Sequence, residues 1–220
     1  VASTGGFVFN PLTIPGCQLW LDANDPSGNG TTPTNGTTTT TWNDKSGYGR
    51  NGTSPVAVTW NNNTLNGMPA FYINSPTCTS SSVNTFTGNI SITGPTVTAF
   101  LVASMNSTAG SYARPFSLTQ QSVDGNNNTN VCMINRSSPT SASYNTNRTN
   151  SYITTMSSAA AYSTPYLSEM WYDGTYGYGS TLIGNSTTLG QVAIGGAFNI
   201  TQYIVGGDYE AGQGFNGYIS

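Results

Sequence analysis

Apolar residues in this chain come in short runs, roughly four to eight long, often alternating with polar ones and bounded by Gly, Pro, Asn or Ser. That is the period of a half-buried strand, and no segment sustains the stripe of an amphipathic helix. The pattern predicts strands at 6–10, 17–22, 56–60, 69–73, 84–92, 97–105, 112–118, 130–135, 151–156, 166–173, 177–183, 191–195 and 215–219. Ala159 to Tyr162 supports one helical turn at most. Asp173-Gly174 lies between two aromatic-rich runs, and Asp-Gly is a strong two-residue hairpin signal. Thirteen tyrosines, eight phenylalanines and four tryptophans suit a broad pleated surface. No composition break marks a domain boundary and no fixed repeat appears. The expected fold class is all-β: one antiparallel β-sandwich or jelly roll.

Composition changes the picture chiefly through what is scarce. Charged residues are 6% of the chain, against roughly 25% in an ordinary soluble domain. Lys45 is the single lysine, and there is no histidine. Solubility must come from 25 Asn, 34 Thr and 26 Ser, and from whatever is attached to them. A net charge of −3 and four scattered arginines (Arg50, Arg114, Arg136, Arg148) argue against nucleic acid as a partner. The longest apolar run, Val97 to Met105, is broken by threonine and serine and is far short of the ~20 residues of a membrane helix. The chain opens on Val1, as it would after removal of a signal peptide or in a trimmed chain. Cys17, Cys78 and Cys132 allow one disulfide and one leftover thiol, with three pairings open.

Asn-x-Ser/Thr, the N-glycosylation acceptor, occurs at Asn29, Asn35, Asn51, Asn62, Asn89, Asn106, Asn127, Asn135, Asn147, Asn185 and Asn199. Chance alone gives about 7 in so Asn- and hydroxyl-rich a chain. Placement adds weight: Asn29, Asn35, Asn51, Asn62, Asn106, Asn127 and Asn185 sit in turn-like tracts, whereas Asn89 and Asn199 lie nearer strands. The Thr-rich tract Thr31, Thr32, Thr34, Thr37, Thr38, Thr39, Thr40 and Thr41 has the composition of an O-glycosylated stalk, or of a plain polar loop. Covalent glycans and an extracellular, virion-surface or cell-surface location are the expectation.

Six tracts, CQLWLDANDPS, WNDKSGYGRNGT, NGMPAFYI, FLVAS, EMWYDG and FNGYIS, follow one another in the order of a laminin-G-like domain. Over roughly Pro15 to Ser220 the chain resembles the concanavalin A-like lectin/glucanase jelly rolls, in particular those on surface proteins of large DNA viruses and microbes. The most specific piece is Trp42-x-Asp44-x-Ser46-Gly47-x-Gly49, where Asp44 and Ser46 would hydrogen-bond a tight turn and the glycines would supply positive φ. The resemblance divides the chain into an N-terminal extension, 1–14, and a jelly-roll domain, 15–220. It also implies a further strand after FNGYIS, where this chain ends at Ser220. A strand to spare in the extension, with Phe7 and Phe9 on one face and Val8 on the other, is then expected to complete a neighbouring copy by strand exchange, or its own domain's edge.

Candidate chemistry is thin. Glucanases of that superfamily carry two glutamates around an aspartate on one strand, and the nearest match is Glu169-Met170-Trp171-Tyr172-Asp173. Positions four apart on a strand are about 13 Å apart, whereas a retaining pair needs about 5 Å. Glu210 has only Asp208 as an acidic neighbour. These failures, with no histidine for a triad, lead to the expectation that the chain is not an enzyme. Asp22, Asn24 and Asp25 form a weak calcium candidate that breaks the EF-hand pattern at Pro26 and Ser27; no other cofactor is expected. Tyr48, Trp60, Tyr176 and Tyr178 could stack on sugar rings. The function expected is a structural, heavily glycosylated subunit that self-assembles into filaments by donor-strand exchange; the alternative is a carbohydrate-binding, lectin-like module.

Overall fold

Strand after strand carries apolar or small side chains on one face and hydroxyl, amide or charged ones on the other, and the chain folds by turning the first set of faces inward. The computed structural model of the chain describes residues 10–75, 84–106, 113–119, 131–134, 144–148, 151–156, 162–183, 186–193, 197–207 and 214–220. Phe7, Val8 and Phe9, Cys78, Asn127, Asn135, Asn185, Asp208 and Glu210 lie outside the described residues, as does most of the expected helical turn.

A 3₁₀ turn, Pro11–Thr13, opens the described chain, capped by the Asn10 side chain, which accepts the Leu12 N–H at 2.9 Å. The strands are β1 (Thr38–Trp42), β2 (Gly52–Leu65), β3 (Met68–Asn74), β4 (Phe86–Gly94), β5 (Thr96–Met105), β6 (Phe116–Thr119), β7 (Val131–Ile134), β8 (Tyr144–Arg148), β9 (Ser151–Met156), β10 (Tyr166–Asp173), β11 (Tyr176–Ile183), β12 (Ser186–Ala193), β13 (Phe198–Val205) and β14 (Asn216–Ile219). Among the described residues they form one antiparallel path, β12-β11-β10-β5-β14-β3-β2-β4-β13-β6-β7-β8-β9, with β1 added to β2. The path folds over at β2 and β4, which meet only at Thr53 and Thr87, and this makes an all-β sandwich of jelly-roll type. β14 lies within the sheet, between β3 and β5.

The core is aromatic where the layers meet. Trp42, Phe71 and Phe86 pack in a triangle, with ring centroids 4.6, 5.5 and 5.0 Å apart. Tyr172 of β10 meets Phe198 of β13 edge-on at 5.4 Å, joining the two layers. Rings at this spacing add to burial itself.

The structure corrects several expected elements. Residues 17–22 form no strand: only Leu21 bridges, to Asp44, while Leu19 and Leu21 pack against the core from an irregular segment. The threonine tract is not loop throughout, because Thr38–Thr41 enter β1 and pair with β2. β8 and β13 were not expected, and β2 runs through Pro55 and the Asn61–Asn63 run with irregular register.

Candidate functional site

β10 follows the antiparallel alternation without a break. Tyr166, Ser168, Met170 and Tyr172 are buried, which turns Leu167, Glu169, Trp171 and Asp173 to the outer face. Register carries that face sideways, with Glu169 opposite Phe100 on β5 and Ser180 on β11, and Trp171 opposite Thr98 and Tyr178. Trp171 and Tyr178 stack at 4.8 Å with an interplanar angle of 6°, and Tyr176 leans on Tyr178 at 6.2 Å. Phe100 is 57% exposed, Tyr176 38% and Leu167 37%. The result is a water-facing aromatic strip.

Two carboxylates sit on this strip. Asp173 ends the hairpin as expected: its Oδ1 accepts the Thr175 and Tyr176 N–H groups at 2.8 and 2.7 Å, and Gly174 takes φ 98°. The Tyr178 hydroxyl donates to Asp173 Oδ2 at 3.0 Å. The backbone donors hold the Asp173 carboxyl below its usual pKa, and the bond to Asp173 raises that of Tyr178. Burial against the strip raises the pKa of Glu169. Glu169 and Asp173 stand four residues apart on one strand, about 13 Å at the backbone, and Asp173 is committed to its turn.

A second group of residues surrounds Asp44, which accepts from the Trp20, Ser46 and Arg50 N–H groups and the Ser46 hydroxyl. Gly47 and Gly49 have φ 92° and 67°, the turn read from the motif. Asp22 and Asp25, two of the three calcium candidates, face the Lys45 ammonium at 2.8 and 3.2 Å, and Asn24 hydrogen-bonds Asp22. An added cation would have to displace Lys45. Among the described residues no cluster of His, Cys, Asp and Glu forms a metal-binding group. Cys17 carries a free thiol.

The remaining candidates scatter. Trp60 is not a surface platform but core, its Nε1 donating to the Ala23 carbonyl at 2.7 Å. Tyr48 is 58% exposed, its ring packed on the Arg50 guanidinium at 4.4 Å. Asn29, Asn35, Asn51, Asn62, Asn89 and Asn199 are exposed. Asn106 is half-buried, its Nδ2 donating to Asn216 Oδ1 at 3.1 Å, and Asn147 lies in β8. Phe100 and Trp171 were missed as surface aromatics. Trp171 could have been found from its face-sharing with Glu169; Phe100, inside a nearly continuous apolar run, could not.

No protein-family model matches the chain, and no curated protein matches it either. Solved structures do. An arabinofuranosidase complexed with arabinofuranosyl-α-1,2-xylobiose shares the fold with a TM-score of 0.59 and 14% identity, over 84% of this chain and 47% of that one. A mutant GH54 α-L-arabinofuranosidase soaked with 4-nitrophenyl α-L-arabinofuranoside gives 0.58 and 13% over the same shares. The enzymatically active domain of tailspike protein 2 of bacteriophage CBA120 gives 0.53 and 11%, over 91% of this chain and 30% of that one. The chain thus spans about half the length of the arabinofuranosidases it matches. These neighbours overturn the expectation that the chain is not an enzyme: its fold occurs within glycoside hydrolases, and the failure of Glu169 and Asp173 to form a close pair speaks only of those two residues. No helix among the described residues is long and apolar enough to cross a membrane.

Proposed function

We propose that this chain is a carbohydrate-recognising module whose ligand lies across the outer face of β5, β10 and β11. The observation that carries this reading is the stacked Trp171–Tyr178 pair flanked by exposed Phe100 and Tyr176. Exposed apolar strips mark binding surfaces more often than chance. Sugar C–H faces suit aromatic rings, and sugar hydroxyls suit carboxylate acceptors such as Glu169 and Asp173. The order of the sequence tracts favours a laminin-G-like jelly roll. The arabinofuranosidases of like fold make pentose-containing polysaccharide the first probe.

The test is affinity electrophoresis through gels containing arabinoxylan, arabinan or xylan, with reducing-sugar release measured in parallel so that binding and turnover are read separately. The wild-type chain should be retarded by at least one polymer. Trp171→Ala and Tyr176→Ala should each weaken retardation about tenfold, roughly 1.4 kcal/mol. Free migration in all three, or variants retarded like wild type, would sink the reading.

A second reading, self-association, is favoured by one separate feature. β14 pairs β5 only at Ala103 to Met105, and the Ser220 N–H reaches the Val102 carbonyl at 3.0 Å. Beyond it, no described strand pairs that edge of β5 at Thr98 and Phe100. An extended segment could add there by main-chain hydrogen bonds. Residues 1–14 of a second copy, with Phe7 and Phe9 for register, are the proposed strand, in a glycosylated extracellular or surface protein. Light scattering of the full chain and of a chain lacking 1–14 decides it: assembly that persists without the extension excludes this strand as donor.

A further inference from the structure

β2 and β4 pair only at Thr53 and Thr87, and two exposed asparagines, Asn51 just before β2 and Asn89 on β4, line one cleft near that pair. Between them lies a shallow, open cleft of about 440 Å³ lined by Tyr48, Gly49, Arg50, Asn51, Asn89, Ile90 and Ser91. Its wall is unusually well held. The Arg50 carbonyl accepts the Tyr203 hydroxyl at 2.7 Å from below, the Arg50 N–H donates to Asp44, and Arg50 Nη1 donates to the Gln18 carbonyl and side chain at 2.6 and 2.8 Å. The guanidinium so fixed supports the Tyr48 ring at 4.4 Å, leaving that ring 58% exposed toward solvent. A rigid, outward-facing ring beside an open cleft is a stacking platform whose ordering cost is already met by the fold.

We infer that this cleft seats the first sugars of an N-linked glycan carried on Asn89, with Tyr48 as the ring they stack on. The inference rests on the reading of the sequons as glycosylated. The two asparagines are not equivalent. The Asn51 Oδ1 accepts the Asp44 N–H at 3.0 Å, so its carboxamide belongs to the Asp44 turn. The Asn89 carboxamide projects from β4 beside exposed Ser91, the hydroxyl of its own sequon. So shallow a cleft would hold a free sugar poorly, but a covalent link supplies an effective concentration in the millimolar range or above and makes weak stacking sufficient.

The test uses the full chain from an N-glycosylating eukaryotic host. Glycopeptide mass spectrometry reads occupancy at every sequon, and thermal unfolding compares wild type, Tyr48→Ala, Asn89→Gln and the double variant. Asn89 should be occupied, and Tyr48→Ala should lower Tm by about 2–4 °C more in the glycosylated protein than in the Asn89→Gln background. Tyr48→Phe should behave as wild type. Occupancy elsewhere with Asn89 bare, or an equal Tyr48→Ala effect in both backgrounds, overturns the seat while leaving glycosylation standing. A chain with every sequon bare overturns both.

Discussion

Asp44 accepts hydrogen bonds from Trp20 N–H, Ser46 N–H, Arg50 N–H and the Ser46 hydroxyl, at 3.0, 2.9, 3.0 and 2.6 Å. One carboxylate thereby ties the irregular segment around Trp20 to the turn leading into β2, which explains how 17–22 stays packed without being a strand. Burial raises the Asp44 pKa, but the donors outweigh it and hold it below the ordinary value. The sign follows. A carboxyl whose folded pKa is depressed contributes its full stability above the unfolded pKa, near ~3.9, and loses it as pH falls through the folded pKa. Asp44→Asn is therefore expected to cost about 2 kcal/mol at neutral pH, roughly 4–8 °C in Tm. It should also flatten the fall of Tm below about pH 4. Thermal melts between pH 2 and 7 check both, and an acid limb as steep as wild type would refute the assignment. Lys45 is the complementary case: burial lowers its pKa, and Asp22 and Asp25, two of the three weak calcium candidates, more than restore it.

Elements were legible in proportion to how cleanly polarity alternates in them. β10 and β11 were read almost to the residue, because Asp173-Gly174 punctuates two alternating runs. β1 was not, because threonines occupy both faces and only Trp42 marks the inside. β5 was found, but VTAFLVASM has few polar positions to say which face is out, so Phe100 emerged as a site residue only once β10 lay beside it. Asn66-Gly67 joins β2 to β3 with φ values of 51° and 87°, a turn of type I′ form. It was legible in principle, and the polar Asn61–Asn63 run before it hid the strand. Two glycines separate the kinds of constraint at work. A Cβ on Gly67 meets only Asn63 Oδ1 at 3.5 Å, so Gly67→Ala should cost about 1 kcal/mol, from backbone conformation alone, and Gly67→Asn less. A Cβ on Gly88 would run into the Tyr203 ring, which lies across β4 from β13, so Gly88→Ala should cost about 1–3 kcal/mol and Gly88→Asn no less. Urea denaturation of the four variants tests the contrast: rescue by Asn at 67 and none at 88.

At the scale of the whole molecule, the scarcity of charge is a property no single site explains. With five basic and eight acidic residues, two of the latter already paired to Lys45, electrostatic repulsion between copies is weak at neutral pH and vanishes near pH 4.4. The outer strip of Phe100, Trp171 and Tyr176 and the open edge of β5 lie close together on one layer, so the face proposed to bind sugar adjoins the edge proposed to bind another copy. Attached glycans at the exposed asparagines would keep copies apart everywhere else. The expectation is that chain made without glycosylation has a solubility minimum within about a pH unit of 4.4 and self-associates at neutral pH, more so as salt screens its few charges. Glycosylated chain should show no such solubility minimum, its association confined to the strip and the β5 edge. Phe100→Lys on the unglycosylated chain separates the causes, because it charges the strip and the β5 edge together while leaving the net charge of the other surfaces alone. Light scattering against pH for the three proteins is the measurement. If Phe100→Lys disperses the bare chain, association runs through that strip; if it does not, association is spread over the uncharged surface and the coat acts there.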